Sequence, residues 1–253
     1  MNKALFSLDM RCLKKVIIIG SSLLSLIVIA VWLFVYFTNK DVSIDTFHVD
    51  YQYILVKVLS PIAVFISMYI GRYVYPQYHN FQINENLFTT NISKKIHFIT
   101  HVSSTSIAVI SLVSIATLTI VTISLLFNVF TLRLLVIQVC FLIGLLSATF
   151  IAQTLVIIHR TRSTTTWILS IPIITYIFSI ISDTLKGLNT KTIIVLNNIF
   201  KYIDFLSFYS IDLEATNILK MAEIDFLHMT IVFIISTILL VSSFRKFRKK
   251  EMI

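Results

Sequence analysis

The sequence predicts an all-α polytopic integral membrane protein: one transmembrane domain of about six helices, with an N-terminal interfacial helix and a partly re-entrant last external loop. Three observations lead there. Of 253 residues, 57% are hydrophobic and only 13% charged, whereas soluble domains are about 25% charged. Several uncharged runs reach the roughly 20 residues a helix needs to cross a hydrocarbon core about 30 Å thick. These runs lack the residue-by-residue alternation of a membrane β-barrel.

Residues 1–15 place Lys3, Ser7, Arg11 and Lys14 at helical spacing, with Met1, Leu5, Leu8 and Cys12 on another face. That pattern suits a short helix lying in the interface; a frayed basic terminus that only orients the first span is the alternative. The first span, 16–37, ends in bulky Trp32 to Phe37 rather than the small residues of a cleavage site, so it reads as a retained anchor. The second, 51–71, carries Lys57, close enough to its outer end to snorkel, and Pro61, which kinks it. The segment 72–101 is a long cytoplasmic loop with Phe81, Ile83, Leu87, Phe88 and Ile92 as apolar anchors, and a loop of that kind is expected to dock something.

The third span, 102–127, is rich in hydroxyls. Ser103, Ser106, Ser114, Thr117 and Ser124 follow three-and-four spacing, which reads as a packing seam between helices or as the polar wall of a path. The fourth span covers 134–158. The fifth, 165–182, contains Pro172. The external segment 183–225 has Ile193, Leu196, Phe200 and Ile203 on one stripe and Lys191, Asn198 and Lys201 on another, so it either dips into the outer leaflet or rests on it. The sixth span, 226–244, runs into the basic cluster Arg245 to Lys250, a stop-transfer signal touching anionic lipid.

An even number of crossings puts both termini on one side, and charge selects which. Of the basic residues outside the spans, fourteen flank that side and six the other. The positive-inside bias therefore makes both termini cytoplasmic in a multi-pass protein of the cell membrane. The net charge of +9 follows these boundaries rather than gathering on one face, so no nucleic-acid partner is expected. Cys12 and Cys140 fall in different environments and form no disulfide framework.

The sequence lacks the features of a catalyst. Its four glycines form no phosphate-cradling loop, so no nucleotide is bound by this chain. His97 and His101 stand four apart with no glutamate between them, and they read as polar residues opening the third span rather than as metal ligands. No catalytic residue and no metal site is assigned.

The run Glu85-Asn86-Leu87-Phe88-Thr89-Thr90-Asn91-Ile92-Ser93-Lys94-Lys95 is similar to the coupling segment of ABC-2 type permeases, in which an acid precedes a Gly-Thr pair and a Pro-Ser-basic ending. Thr89 stands where glycine is usual and Ile92 where proline is usual. Residues 199–209 also look like the last external loop of that family, without its proline. The resemblance implies the membrane subunit of an ABC exporter, paired with a second permease copy or a paralogue. It further implies that a separate cytoplasmic ATPase, which binds ATP and magnesium, grips Glu85, Leu87, Phe88, Thr90, Ile92 and Lys94 together with the N-terminal helix. Family members of this size in Gram-positive bacteria often export amphipathic or antimicrobial peptides, so the resemblance implies cargo of that class. A membrane anchor or immunity-type protein that binds partners without transport is the competing reading.

Overall fold

The structure is a computed structural model that describes residues 2–38, 58–72, 93–127, 130, 132–159, 167, 170–174, 177, 209–210, 223–224 and 226–249. Its helices are α1 (Lys3–Thr38), α2 (Val58–Arg72), α3 (Lys94–Leu126), α4 (Leu132–His159) and α5 (Phe226–Lys249). The described residues between 167 and 177 are also helical, and the other regular element among the described residues is a two-residue antiparallel ladder that pairs Tyr209 with Ile224 and Ser210 with Glu223, immediately ahead of α5.

Among the described residues, four helices are long and apolar enough to cross a membrane: α1, α3, α4 over Leu134–Ile158, and α5 over Phe226–Arg245. Their outward faces are as apolar as their inward ones. Ile19, Leu26, Leu118, Leu132 and Ile238 are all more than half exposed, while Asp9, His101, Ser104, Thr105 and Gln153 are fully buried. Polar groups inside and aliphatic groups outside is the arrangement lipid favours, since hydrocarbon cannot hydrogen-bond and apolar surface costs nothing there. The chain is a membrane protein of helical class, as its composition predicts.

Contacts fix the helix directions. Along α1 and α3, Asn2 meets Thr100, Asp9 meets His101 and Ser104, Gly20 faces Leu112, Ser25 meets Thr119, and Trp32 packs on Phe127, so the two helices run parallel. Helix α4 runs the other way, with Thr105 meeting Gln153 and Thr117 meeting Gln138. Helix α5 runs with α4, because Leu135 and Phe226 line one cavity, the Phe150 and Phe233 rings lie 6.0 Å apart, and Ile157 and Leu240 share a cluster. The C-terminal part of α5 lies by the start of α3, where the Phe98 and Phe244 rings are 5.0 Å apart.

The N-terminal segment is helical, but it is continuous with the first span: α1 is one helix of 36 residues. At about 1.5 Å per residue it exceeds the hydrocarbon thickness, so its first turns extend beyond the core. Trp32 stacks on Tyr36 and packs against Phe127, an aromatic cluster suited to the opposite interface. From Asp9 to Trp32 is about 35 Å at helical rise, which matches the bilayer core with a modest margin.

Helix α2 packs closely on α4. A Cβ on Gly71 would lie 2.6 Å from the Thr149 carbonyl oxygen and 3.1 Å from Ala152 Cβ, and the Thr149 hydroxyl donates to the Ser67 carbonyl at 3.3 Å. Small residues are needed there for the backbones to approach. Lys57, most of the expected fifth span and most of 183–225 lie outside the described residues.

Candidate functional site

The feature that departs most from a plain apolar bundle is a buried polar knot joining the first turns of α1 and α3. Its position follows from local helix geometry. Leu5, Asp9 and Leu13 recur every four residues and all three are buried, so α1 presents an acid in the middle of its inward stripe. Helix α3 begins at Ser93, whose hydroxyl accepts the Ile96 backbone N–H at 3.3 Å as an N-cap. From that start, His97, His101, Ser104 and Thr105 turn toward α1 and α4.

The bonds form a connected chain. His101 Nδ1–H donates to Asp9 Oδ2 at 2.7 Å, with both side chains fully buried. The Ser104 hydroxyl donates to the same oxygen at 2.7 Å. On its other side, His101 Nε2 lies 3.2 Å from His97 Nε2, the two rings meeting nearly edge-on. The Asn2 backbone N–H donates to the Thr100 hydroxyl at 3.1 Å, tying down the start of α1. Gln153 of α4 donates to the Thr105 hydroxyl at 2.6 Å, which brings a third helix to the knot. The Gln153 amide oxygen is buried with no hydrogen-bond partner among the described residues.

A carboxylate buried in this way is stable only while its lone pairs are occupied, and here an imidazole and a hydroxyl occupy one oxygen. The arrangement locks His101 in the tautomer with its proton on Nδ1. It makes the feet of α1 and α3 one mechanical unit. Among the described residues, no group of three or more His, Cys, Asp or Glu is placed to hold a metal ion.

The residues singled out from sequence are distributed unevenly over this structure. Leu5 is buried and Leu8 partly buried on the inward side of α1, while Arg11 and Lys14 are exposed on the other. Lys94 sits in the first turn of α3; Glu85, Leu87, Phe88, Thr90 and Ile92 lie outside the described residues. The hydroxyl series on α3 is not gathered on one face: Ser124 is buried, Ser103, Ser106 and Thr117 are partly buried, and Ser114 is exposed. Thr117 alone of these has a described side-chain bond across helices, a 3.4 Å contact with the Gln138 amide oxygen. Ser106 donates to the Val102 carbonyl within its own helix, as Ser111, Thr119 and Thr122 do to carbonyls four residues back.

Compared with known proteins, the chain matches no family model, no curated protein and no solved structure.

Proposed function

We propose that the chain is the membrane-embedded permease subunit of an ATP-driven ABC exporter, working as a pair with a second copy or a paralogue. The energy comes from a separate cytoplasmic ATPase that holds ATP and magnesium. The observation that carries this reading is the Asp9 to His101 knot. The coupling-like segment 85–95 leads directly into the N-cap of α3, and two turns later α3 is bonded to α1 through buried groups. A force applied to that segment is thereby delivered to two helices at once.

Helix directions support the same layout. Helices α1 and α3 are parallel, as are α4 and α5, which fits one further crossing within each connecting stretch. Six crossings with both termini on one side are the layout these directions favour, and the fourteen-to-six division of basic residues favours the cytoplasmic side. The cargo class is amphipathic or antimicrobial peptide, in line with a narrower resemblance to permeases of phenol-soluble modulin exporters.

The test compares two substitutions in the segment. Buried apolar anchors commonly cost about 2 kcal/mol or more when truncated, while rim charges cost less. Phe88→Ala should release the ATPase from membranes more than Glu85→Gln does, with insertion unchanged. An ATPase that stays bound to the Phe88→Ala chain with normal substrate-stimulated hydrolysis would remove this segment as the coupling element.

A further inference from the structure

We propose that His97 and His101 chelate one divalent transition-metal ion of the zinc, nickel or copper(II) type at the foot of α3, with Asp9 as the outer-sphere carboxylate. The inference does not depend on the exporter reading.

Two imidazoles four residues apart on one helix face the same side, and here their Nε2 atoms are 3.2 Å apart. Metal–nitrogen bonds of about 2.0–2.1 Å that meet near the tetrahedral angle place two ligand nitrogens about 3.3–3.4 Å apart. The separation therefore needs only a few tenths of an ångström of adjustment, while the rings, now nearly edge-on, turn so that both lone pairs converge on the ion instead of along the N···N line. Late first-row ions favour imidazole nitrogen, which selects this class over calcium or magnesium.

The second observation is the Asp9 carboxylate on the far side of His101. A ligating histidine ordinarily donates its other ring N–H to a carboxylate or carbonyl, which fixes the tautomer and raises the basicity of the ligating nitrogen. Asp9 Oδ2 accepts from His101 Nδ1–H at 2.7 Å, and Ser104 braces the same oxygen. His101 Nε2 is thus left with its lone pair directed at His97. Without the ion, that lone pair accepts the proton on His97 Nε2. With the ion bound, the His97 proton resides on Nδ1 instead, so neutral histidines on both sides conserve protons. His97 is partly exposed and His101 buried, so the ion enters from the His97 side and water completes its coordination.

The test is zinc binding by the full-length chain, purified in detergent without a polyhistidine tag, in competition with a chromophoric chelator at neutral pH. The wild-type chain should bind one equivalent that His97→Ala abolishes, and Asp9→Asn should weaken it by about 10- to 100-fold. His97→Ala leaves the Asp9 to His101 bond in place, so it is expected to fold, and unchanged thermal unfolding verifies this. A wild-type chain that takes up no zinc, or a His97→Ala chain that keeps the same equivalent at the same affinity, overturns the proposal and leaves the triad as a hydrogen-bonded strut.

Discussion

Asp9→Ala is expected to destabilise the chain by about 3–5 kcal/mol, the range for removing one partner of a buried pair. The substitution takes from His101, which is fully buried, the carboxylate oxygen that accepts its Nδ1–H, while the Ser104 hydroxyl falls back on the Thr100 and His101 carbonyls 3.0 Å away. It also frees the first turns of α1 from α3, leaving the Asn2 to Thr100 bond as the described polar link at that end. Unfolding in mixed micelles by a denaturing detergent, followed by helicity, measures the loss. A diagnostic sign comes from the double variant Asp9→Ala, His101→Leu, which removes both polar partners. It should be more stable than Asp9→Ala alone, because apolar replacement of a whole buried pair is often neutral or stabilising. A single variant within about 0.5 kcal/mol of wild type would mean that the pair carries no structural weight.

The second large effect is expected at Gly71. An alanine Cβ there would sit 2.6 Å from the Thr149 carbonyl oxygen, a backbone atom that moves only if α2 separates from α4. Overpacking of this kind costs about 1–3 kcal/mol, and backbone opposition places Gly71→Ala at the upper end. Gly20 offers the contrast. Its added Cβ would meet Leu112 Cδ1 at 2.8 Å, the far end of a flexible side chain, and alanine gains up to about 1 kcal/mol of helix propensity over glycine. Gly20→Ala is therefore expected near wild type in the same unfolding assay, and a reversed order of the two variants would contradict the close α2 to α4 crossing.

Much of the architecture was legible in the sequence because lipid imposes a simple requirement, a long run without charge. The fourth span, 134–158, coincides with the apolar window of α4, and the sixth falls within α5. The continuity of α1 was less legible, because a basic stretch followed by an apolar run fits a broken helix as well as an unbroken one. The polar knot was only half visible. His97 and His101 stood out as a pair one turn apart, but Asp9 lies in a basic stretch and belongs to no motif. Its place between Leu5 and Leu13 on one helical stripe was the signal that it faces inward. Its bond to His101 spans 92 positions, which no local pattern reveals. The hydroxyl series on α3 divides for a different reason: Thr117 reaches across to Gln138, while Ser106 satisfies itself on a carbonyl of its own helix, so regular spacing does not by itself identify a seam.

The proposed permease needs an energy-supplying partner at the segment that leads into α3, and in-membrane photo-crosslinking tests that most directly. A photoreactive amino acid at Leu87, activated in native membranes before any detergent is added, should yield a covalent adduct with a cytoplasmic protein bearing ABC ATPase motifs. The adduct should diminish when Phe88→Ala is combined with the probe. Crosslinks confined to lipid, to a second copy of this chain, or to a protein without nucleotide-binding motifs would contradict the permease assignment and favour an anchor that moves nothing.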